Sequence, residues 1–277
     1  MAHETSAKTG GSGDVLVRCS TEEVIERLAK AREKVPSGGR AAVAFDADNT
    51  IWKGDVGVDL FEALLAEDAV RPAAAEGLAR LAAEVGVGVG LGAVECARAL
   101  YASWENQTTP HCPEDKTFAM MAWIYAGFTR AELVAFAERV LAKAGIEGRI
   151  RPEVKAIVSW ARANDVEVLV ASASPRTPVE VGVKHIGIGP ESVFAMTSRM
   201  EGEVLLPELT GVFVYAGGKA TAVREGRPGV TVLGGFGDSG YDAALMRMSA
   251  VPCAISPGPG LLKVAGEVPG IIELVTS

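Results

Sequence analysis

AAVAFDADNT, residues 41–50, decides the fold. Five apolar residues, Ala41 to Phe45, follow Arg40 without interruption. Such a run fits a strand buried on both faces, as in a parallel sheet covered by helices. It stops at Asp46, and Asp48 follows two residues later. Open α/β sheets place their chemistry just beyond the carboxyl ends of such strands. Two neighbouring carboxylates repel each other in a low-dielectric setting, so burying them without a cation is costly. Magnesium, a hard ion that takes oxygen ligands, would relieve that cost.

Upstream, Thr21 is a candidate N-cap, with Glu22 and Glu23 in the first turn and Val24, Ile25 and Leu28 behind it. That helix should end at Ser37-Gly38-Gly39. Downstream the character changes. Segments 57–67, 72–84, 92–104, 115–126 and 130–143 carry helical periodicity, which predicts a helical unit of four or five helices. VGVGVGLG, residues 85–92, is an ambiguous connection whose spacing matches no dinucleotide fingerprint. The sheet rhythm then returns. A helix is expected over 153–163, a strand over 166–172, a short helix from Pro178 to Val183 and a strand over 192–196. A hairpin is expected within 203–215 around Pro207, a helix over 219–224, and a strand in VTVLGGFGDSG, 230–240. DAALMRMS reads as a helix, and VPCAISP and IIELVTS close the chain. The expected architecture is α/β: a Rossmann-like parallel-sheet core, residues 16–56 and 150–277, with a helical cap over 57–149. Residues 1–15 read as a flexible tail.

The composition narrows the partners. The chain has 277 residues, 48% of them hydrophobic and 22% charged, an ordinary globular balance. A formal charge of −8 disfavours non-specific binding to nucleic acid or an anionic membrane. It permits a small phosphorylated metabolite, because a metal and local donors can invert the charge of one pocket. Cys19, Cys96, Cys112 and Cys253 are scattered and form no CxxC pair, which reads as buried thiols in a reducing compartment. Three histidines, His3, His111 and His185, are too few for a histidine-rich metal centre. No apolar run reaches membrane-spanning length and the start has no secretory pattern, so a cytoplasmic location is expected.

A second acidic cluster, Asp238 and Asp242 in GDSGYD, follows another apolar strand. Two parallel strands ending side by side would bring Asp46 and Asp238 together. Ser172 after VLVA and the isolated Lys219 add a hydroxyl and an ammonium. A carboxylate that attacks, a hydroxyl and an ammonium that hold phosphate oxygens, and a metal-holding carboxylate make a phosphate-transfer set. Each cluster alone also fits a capping or turn aspartate.

The ordered set DxDxT, strand-end Ser, Lys and GDxxxD resembles the four motifs of the haloacid dehalogenase-like hydrolases, over roughly 40–56 and 150–255. The helical insert is similar in placement to the cap of the C1 class. SASP, the VExxVKHIGI-like stretch and GDSGYD look nearest to the phosphoserine phosphatase-like branch. The resemblance implies a Mg2+-dependent phosphatase in which Asp46 is the nucleophile and Asp48 protonates the leaving alcohol, then activates water. Ser172, Lys219 and Thr50 would support the phosphoryl group. Metal ligands would be Asp46, Asp48 through its carbonyl, and Asp238, with Asp242 orienting lysine or metal-bound water.

Asp48 and the acidic fourth motif speak against dehalogenation, and Lys116 and Lys143 mark no Schiff-base site. A sugar-phosphate mutase and a non-enzymatic phosphate-ligand binder stay open. Asp55, nine residues after Asp46, is either a contact for a substrate amine or a helix cap. Tyr241 stands where the branch carries asparagine, which puts phosphoserine in question against phosphocholine or phosphoethanolamine. Trp52, Tyr101, Trp104, Trp123 and Tyr125 offer aromatic faces for a quaternary ammonium, or else pack the core. Arg98 is either an anion contact or a surface residue.

Overall fold

The computed structural model describes residues 16–277; the tail expected over 1–15 lies outside them. A short strand β1 (Val17–Cys19) leads into α1 (Thr21–Glu33). Its N-cap is Ser20, not Thr21: the Ser20 hydroxyl accepts from the Glu23 backbone N–H while the Glu23 carboxylate accepts from the Ser20 N–H. The reciprocal pattern needs a Glu three residues after the cap, which Ser20 has and Thr21 lacks. Strand β2 (Ala41–Phe45) follows and is buried along its whole length.

The chain then leaves the sheet for α2 (Val56–Ala66), α3 (Ala75–Val85), α4 (Ala93–Glu105), α5 (Glu114–Trp123), α6 (Arg130–Lys143) and α7 (Ile146–Arg149). The first five match the expected helical periods to within a few residues; α7, a single turn, falls outside them. The glycine-punctuated stretch is the α3–α4 connection, where left-handed Gly86 (φ 73°) ends α3.

Helix α8 (Pro152–Ala163) returns to the sheet, followed by β3 (Glu167–Pro175), α9 (Arg176–Lys184), β4 (Val193–Glu201) and β5 (Val204–Thr210). Then come α10 (Gly217–Gly226), β6 (Thr231–Gly237), α11 (Ala243–Arg247), β7 (Val251–Ile255), α12 (Pro259–Val264) and β8 (Ile272–Leu274). The eight strands order as β1-β8-β7-β6-β2-β3-β4-β5. All neighbours are parallel except β4 and β5. The hairpin expected within 203–215 is therefore made by β5 with the preceding β4, turning at left-handed Gly202 (φ 57°). The fold is a mostly parallel, Rossmann-like sheet flanked by helices and carrying an inserted helical cap.

Register brings the site together. Phe45 pairs with Phe236, and their rings stack 4.3 Å apart at 12°. Both are fully buried. The next backbone step repeats the alignment, with the Asp46 N–H donating to the Phe236 carbonyl at 2.9 Å. A slip of one residue in either strand would turn its ring to the opposite face and lose the stack.

Among the described residues, backbone hydrogen bonds tie the cap to the core at two places. At the neck, Lys53 N–H donates to the Arg149 carbonyl and Arg151 N–H to the Ile51 carbonyl. Arg149 also donates to the Lys53 carbonyl and pairs with Asp59. On the far side, Gly127 and Arg130 donate to the carbonyls of Leu205 and Glu203, and Leu205 donates to that of Phe128. A rigid swing of the whole cap about the neck would break these three bonds.

Candidate active site

Adjacent strands β3, β2 and β6 end side by side and deliver Ser172, Asp46 and Asp238 to one cleft of about 160 Å³. Lys219 enters from the first turn of α10. Its position depends on Gly218, where a Cβ would lie 1.8 Å from the Phe213 carbonyl oxygen.

The Lys219 ammonium is buried and donates to Asp46 Oδ1 and Asp242 Oδ1, both at 2.6 Å. Burial by itself would lower its pKa; the two carboxylates more than offset this and raise it, so the ammonium stays charged. Asp242 is saturated. Its other oxygen accepts from the N–H groups of Asp238 and Ser239 and from the Ser239 hydroxyl. Gly237 makes room for it, since a Cβ there would sit 2.3 Å from the Asp242 Cβ.

Asp46 Oδ2 accepts from the Thr50 hydroxyl at 3.3 Å. Burial raises the Asp46 pKa well above the carboxylate range, and Lys219 opposes that rise. Asp238 is pushed up to about 7, by burial first and then by Asp242. Ligand oxygens of Asp46, Asp238 and Asp242 lie within 4.8 Å of one another. This donor set, all hard oxygen and with more negative charge than one ammonium neutralises, fits a divalent cation such as Mg2+. With Asp242 occupied by Lys219 and its own loop, Asp46 and Asp238 are the carboxylates left for the ion.

The Asp48 carboxylate has hydrogen-bond partners of its own outside that cluster. Oδ1 accepts from the Trp52 indole N–H at 2.9 Å and the Val56 N–H at 2.7 Å, while Oδ2 is 2.6 Å from the Ser174 hydroxyl that donates to it. Burial nevertheless raises its pKa, against those three hydrogen bonds. Ser174 in turn donates its backbone N–H to the Ser172 hydroxyl oxygen, leaving the Ser172 O–H free to point into the cleft. Ser174 carries only a weak sequence signal, its place two residues after Ser172 on one strand, hence on the same face.

Asp55 is both cap and cleft residue: Oδ1 accepts from the Val58 N–H, and the side chain lines the cleft. Burial, and then Asp48, push it up to about 8. Tyr241 also lines the cleft, where its hydroxyl donates to Glu114 of α5. Phe118 of α5 and Tyr215, after β5, complete the rim. These two and Glu114 had no sequence signal beyond the i, i+4 spacing of Glu114 and Phe118.

Trp52 is fully buried and absent from the cleft lining; its ring packs on Gly182 of α9. Arg98 donates to the Leu65 carbonyl inside the cap, away from the cleft. His111 sits on an exposed loop against the Thr108 carbonyl, and His185 pairs with Glu147.

A fold comparison finds a protein of unknown function from Bordetella pertussis Tohama I, with a TM-score of 0.65 at 17% identity over 86% of this chain and 99% of that one. A conserved protein of unknown function from Anaerococcus prevotii DSM 20548 follows at 0.64 and 11%, over 88% and 87%. A probable phosphoserine phosphatase from Vibrio cholerae gives 0.50 at 14%, over 86% and 61%. At these identities the likeness is one of fold alone and does not place the chain in the phosphoserine phosphatase branch. No curated protein sequence matches. The profile of the haloacid dehalogenase-like hydrolases matches residues 43–247, a span that starts inside β2 and runs through the loop of Asp238 and Asp242. By that match the chain belongs to the haloacid dehalogenase-like hydrolase family.

Proposed function

We propose that this hydrolase is a Mg2+-dependent phosphatase acting on a small phosphomonoester through a phosphoryl group carried on Asp46. The observation that carries the reading is the buried Asp46 carboxylate, held at 2.6 Å by Lys219 beside the Ser172 hydroxyl and Asp238 at the floor of the cleft. Asp46 attacks phosphorus, the bond from phosphorus to the alcohol oxygen breaks, and Asp48 gives its proton to the departing alkoxide. Burial raises the Asp48 pKa and so favours its protonated form, and Ser174, Trp52 and Val56 fix its orientation. Asp48 then takes a proton from water as the water attacks phosphorus. Inorganic phosphate leaves and the Asp46 carboxylate is regenerated.

Ser172 and the third proton of Lys219 bind phosphoryl oxygens throughout, and Thr50 steadies Asp46. Asp46, the Asp48 carbonyl and Asp238 would hold the ion, with Asp242 fixing Lys219. A bound Mg2+ supplies charge neutralisation for nucleophile and phosphate. Asp55 in the cleft supports an amine-bearing substrate of the phosphoserine, phosphocholine or phosphoethanolamine kind. A mutase acting on a doubly phosphorylated sugar would need a second cationic site, and Lys219 is the only base among the described residues of the cleft. The core and cap boundaries, 16–56 with 150–277 and 57–149, fit the hydrogen-bonded neck at 51–54 and 149–151. Four free, buried cysteines support a reducing, cytoplasmic setting.

Phosphate release from a panel of metabolite monoesters, with and without Mg2+, tests the reading. Asp46→Asn should abolish release with the fold intact, and unchanged turnover would refute the mechanism. An isomeric phosphate in place of free phosphate identifies a mutase. Tight binding without turnover identifies a binding protein.

A further inference from the structure

The cleft is far more acidic than phosphate chemistry requires. Asp46, Asp48, Asp55, Glu114 and Asp238 line it against the single ammonium of Lys219. Two of the three Lys219 protons already go to Asp46 and Asp242. A divalent ion and a phosphate dianion cancel each other, so neither accounts for Glu114 of α5, on the cap side of the site. Glu114 gives one oxygen to the Tyr241 hydroxyl, which leaves the other for a ligand.

The remaining rim is aromatic. The Tyr215 and Tyr241 rings are 4.7 Å apart, and Phe118 lies 6.0 Å from Tyr215. All three are partly exposed where they border the cleft. Aromatic faces next to carboxylates attract a cation by quadrupole and by charge together. The same surface repels a carboxylate or a second phosphate, for which no free base is present among the described lining residues.

Resting on the phosphatase reading above, we propose that the alcohol released carries a positively charged nitrogen and no carboxylate, with Glu114 facing the nitrogen beneath Phe118, Tyr215 and Tyr241. Phosphoethanolamine and phosphocholine have this chemistry. Phosphoserine, whose carboxylate would meet Glu114, does not.

The test compares kcat/KM for phosphoethanolamine, phosphocholine, phosphoserine and 3,3-dimethylbutyl phosphate, the neutral isostere of phosphocholine. The better cationic substrate should exceed both phosphoserine and the neutral isostere by about tenfold or more. In Glu114→Gln, the ratio of cationic to neutral substrate should fall by about threefold or more. Because the ratio is taken within one variant, a general loss of activity does not move it. Equal rates for the neutral isostere and phosphocholine, or a preference for phosphoserine, overturn the inference and leave the phosphatase reading standing. Calorimetry on Asp46→Asn ranks the same four ligands without turnover. If no wild-type turnover occurs, the phosphatase reading fails, and the calorimetric ranking still decides whether the cleft selects a cation.

Discussion

Replacing Lys219 by methionine removes the charge that holds Asp46 and Asp242 together while keeping the aliphatic stem. The ammonium is 2.6 Å from each carboxylate, and the side chain of Asp242 is 0% exposed and that of Lys219 4%. Water therefore cannot take over solvation of the two carboxylates once the lysine is gone. Breaking a buried ion pair by removing one partner costs about 3–5 kcal/mol. For a chain of this size, that corresponds to a Tm lower by roughly 6–20 °C.

The cost arises from the stranded carboxylates rather than from the missing amine. Lys219→Met with Asp242→Asn should therefore be more stable than Lys219→Met alone by about 1 kcal/mol or more. Urea unfolding followed by tryptophan fluorescence, in EDTA, measures both. A single variant within about 0.5 kcal/mol of the wild type, or strictly additive effects in the pair, would refute the view that one lysine neutralises two buried acids.

Asp55, raised from 3.8 to about 8, stays protonated in the folded chain over pH values where the unfolded chain has lost that proton. Its contribution is thus present below about pH 4 and lost as pH rises toward 8. Asp55→Asn, which keeps a capping side chain, should remove this dependence and stabilise the metal-free protein at pH 8 by on the order of 1 kcal/mol, read from unfolding at pH 5 and pH 8. Tyr125 is fully buried and its hydroxyl has no partner among the described residues, so Tyr125→Phe should be neutral or stabilising by up to about 1 kcal/mol in urea; a clear loss would mean the hydroxyl is bonded in solution. Gly237→Ala places a methyl group 2.3 Å from the Asp242 Cβ, and should cost activity and about 1–3 kcal/mol of stability, with normal turnover counting against the tight turn.

The chemistry that can be read from the chain alone is carried by short-range pattern. The AAVAF run ending at Asp46, the second apolar run ending before Asp238, and the helical periods of the cap are local signals. A buried strand or an amphipathic helix needs only its own residues to announce itself. The Ser20 cap was legible too, through Glu23, but the acidic pair after Thr21 fitted a cap one residue later.

Tertiary structure decided what depends on partners far apart in the chain. Only the sheet order puts β6 and β3 on either side of β2. Only that packing makes Lys219 bridge Asp46 and Asp242 across 173 and 23 residues. The same holds for Trp52. Its sequence neighbourhood offered an aromatic face to a ligand, whereas packing against Gly182 leaves its N–H to orient Asp48. The cap-side rim formed by Glu114, Phe118, Tyr215 and Tyr241 has no counterpart in any local motif, because it comes from a helix and two loops that meet only when the cap closes over the sheet.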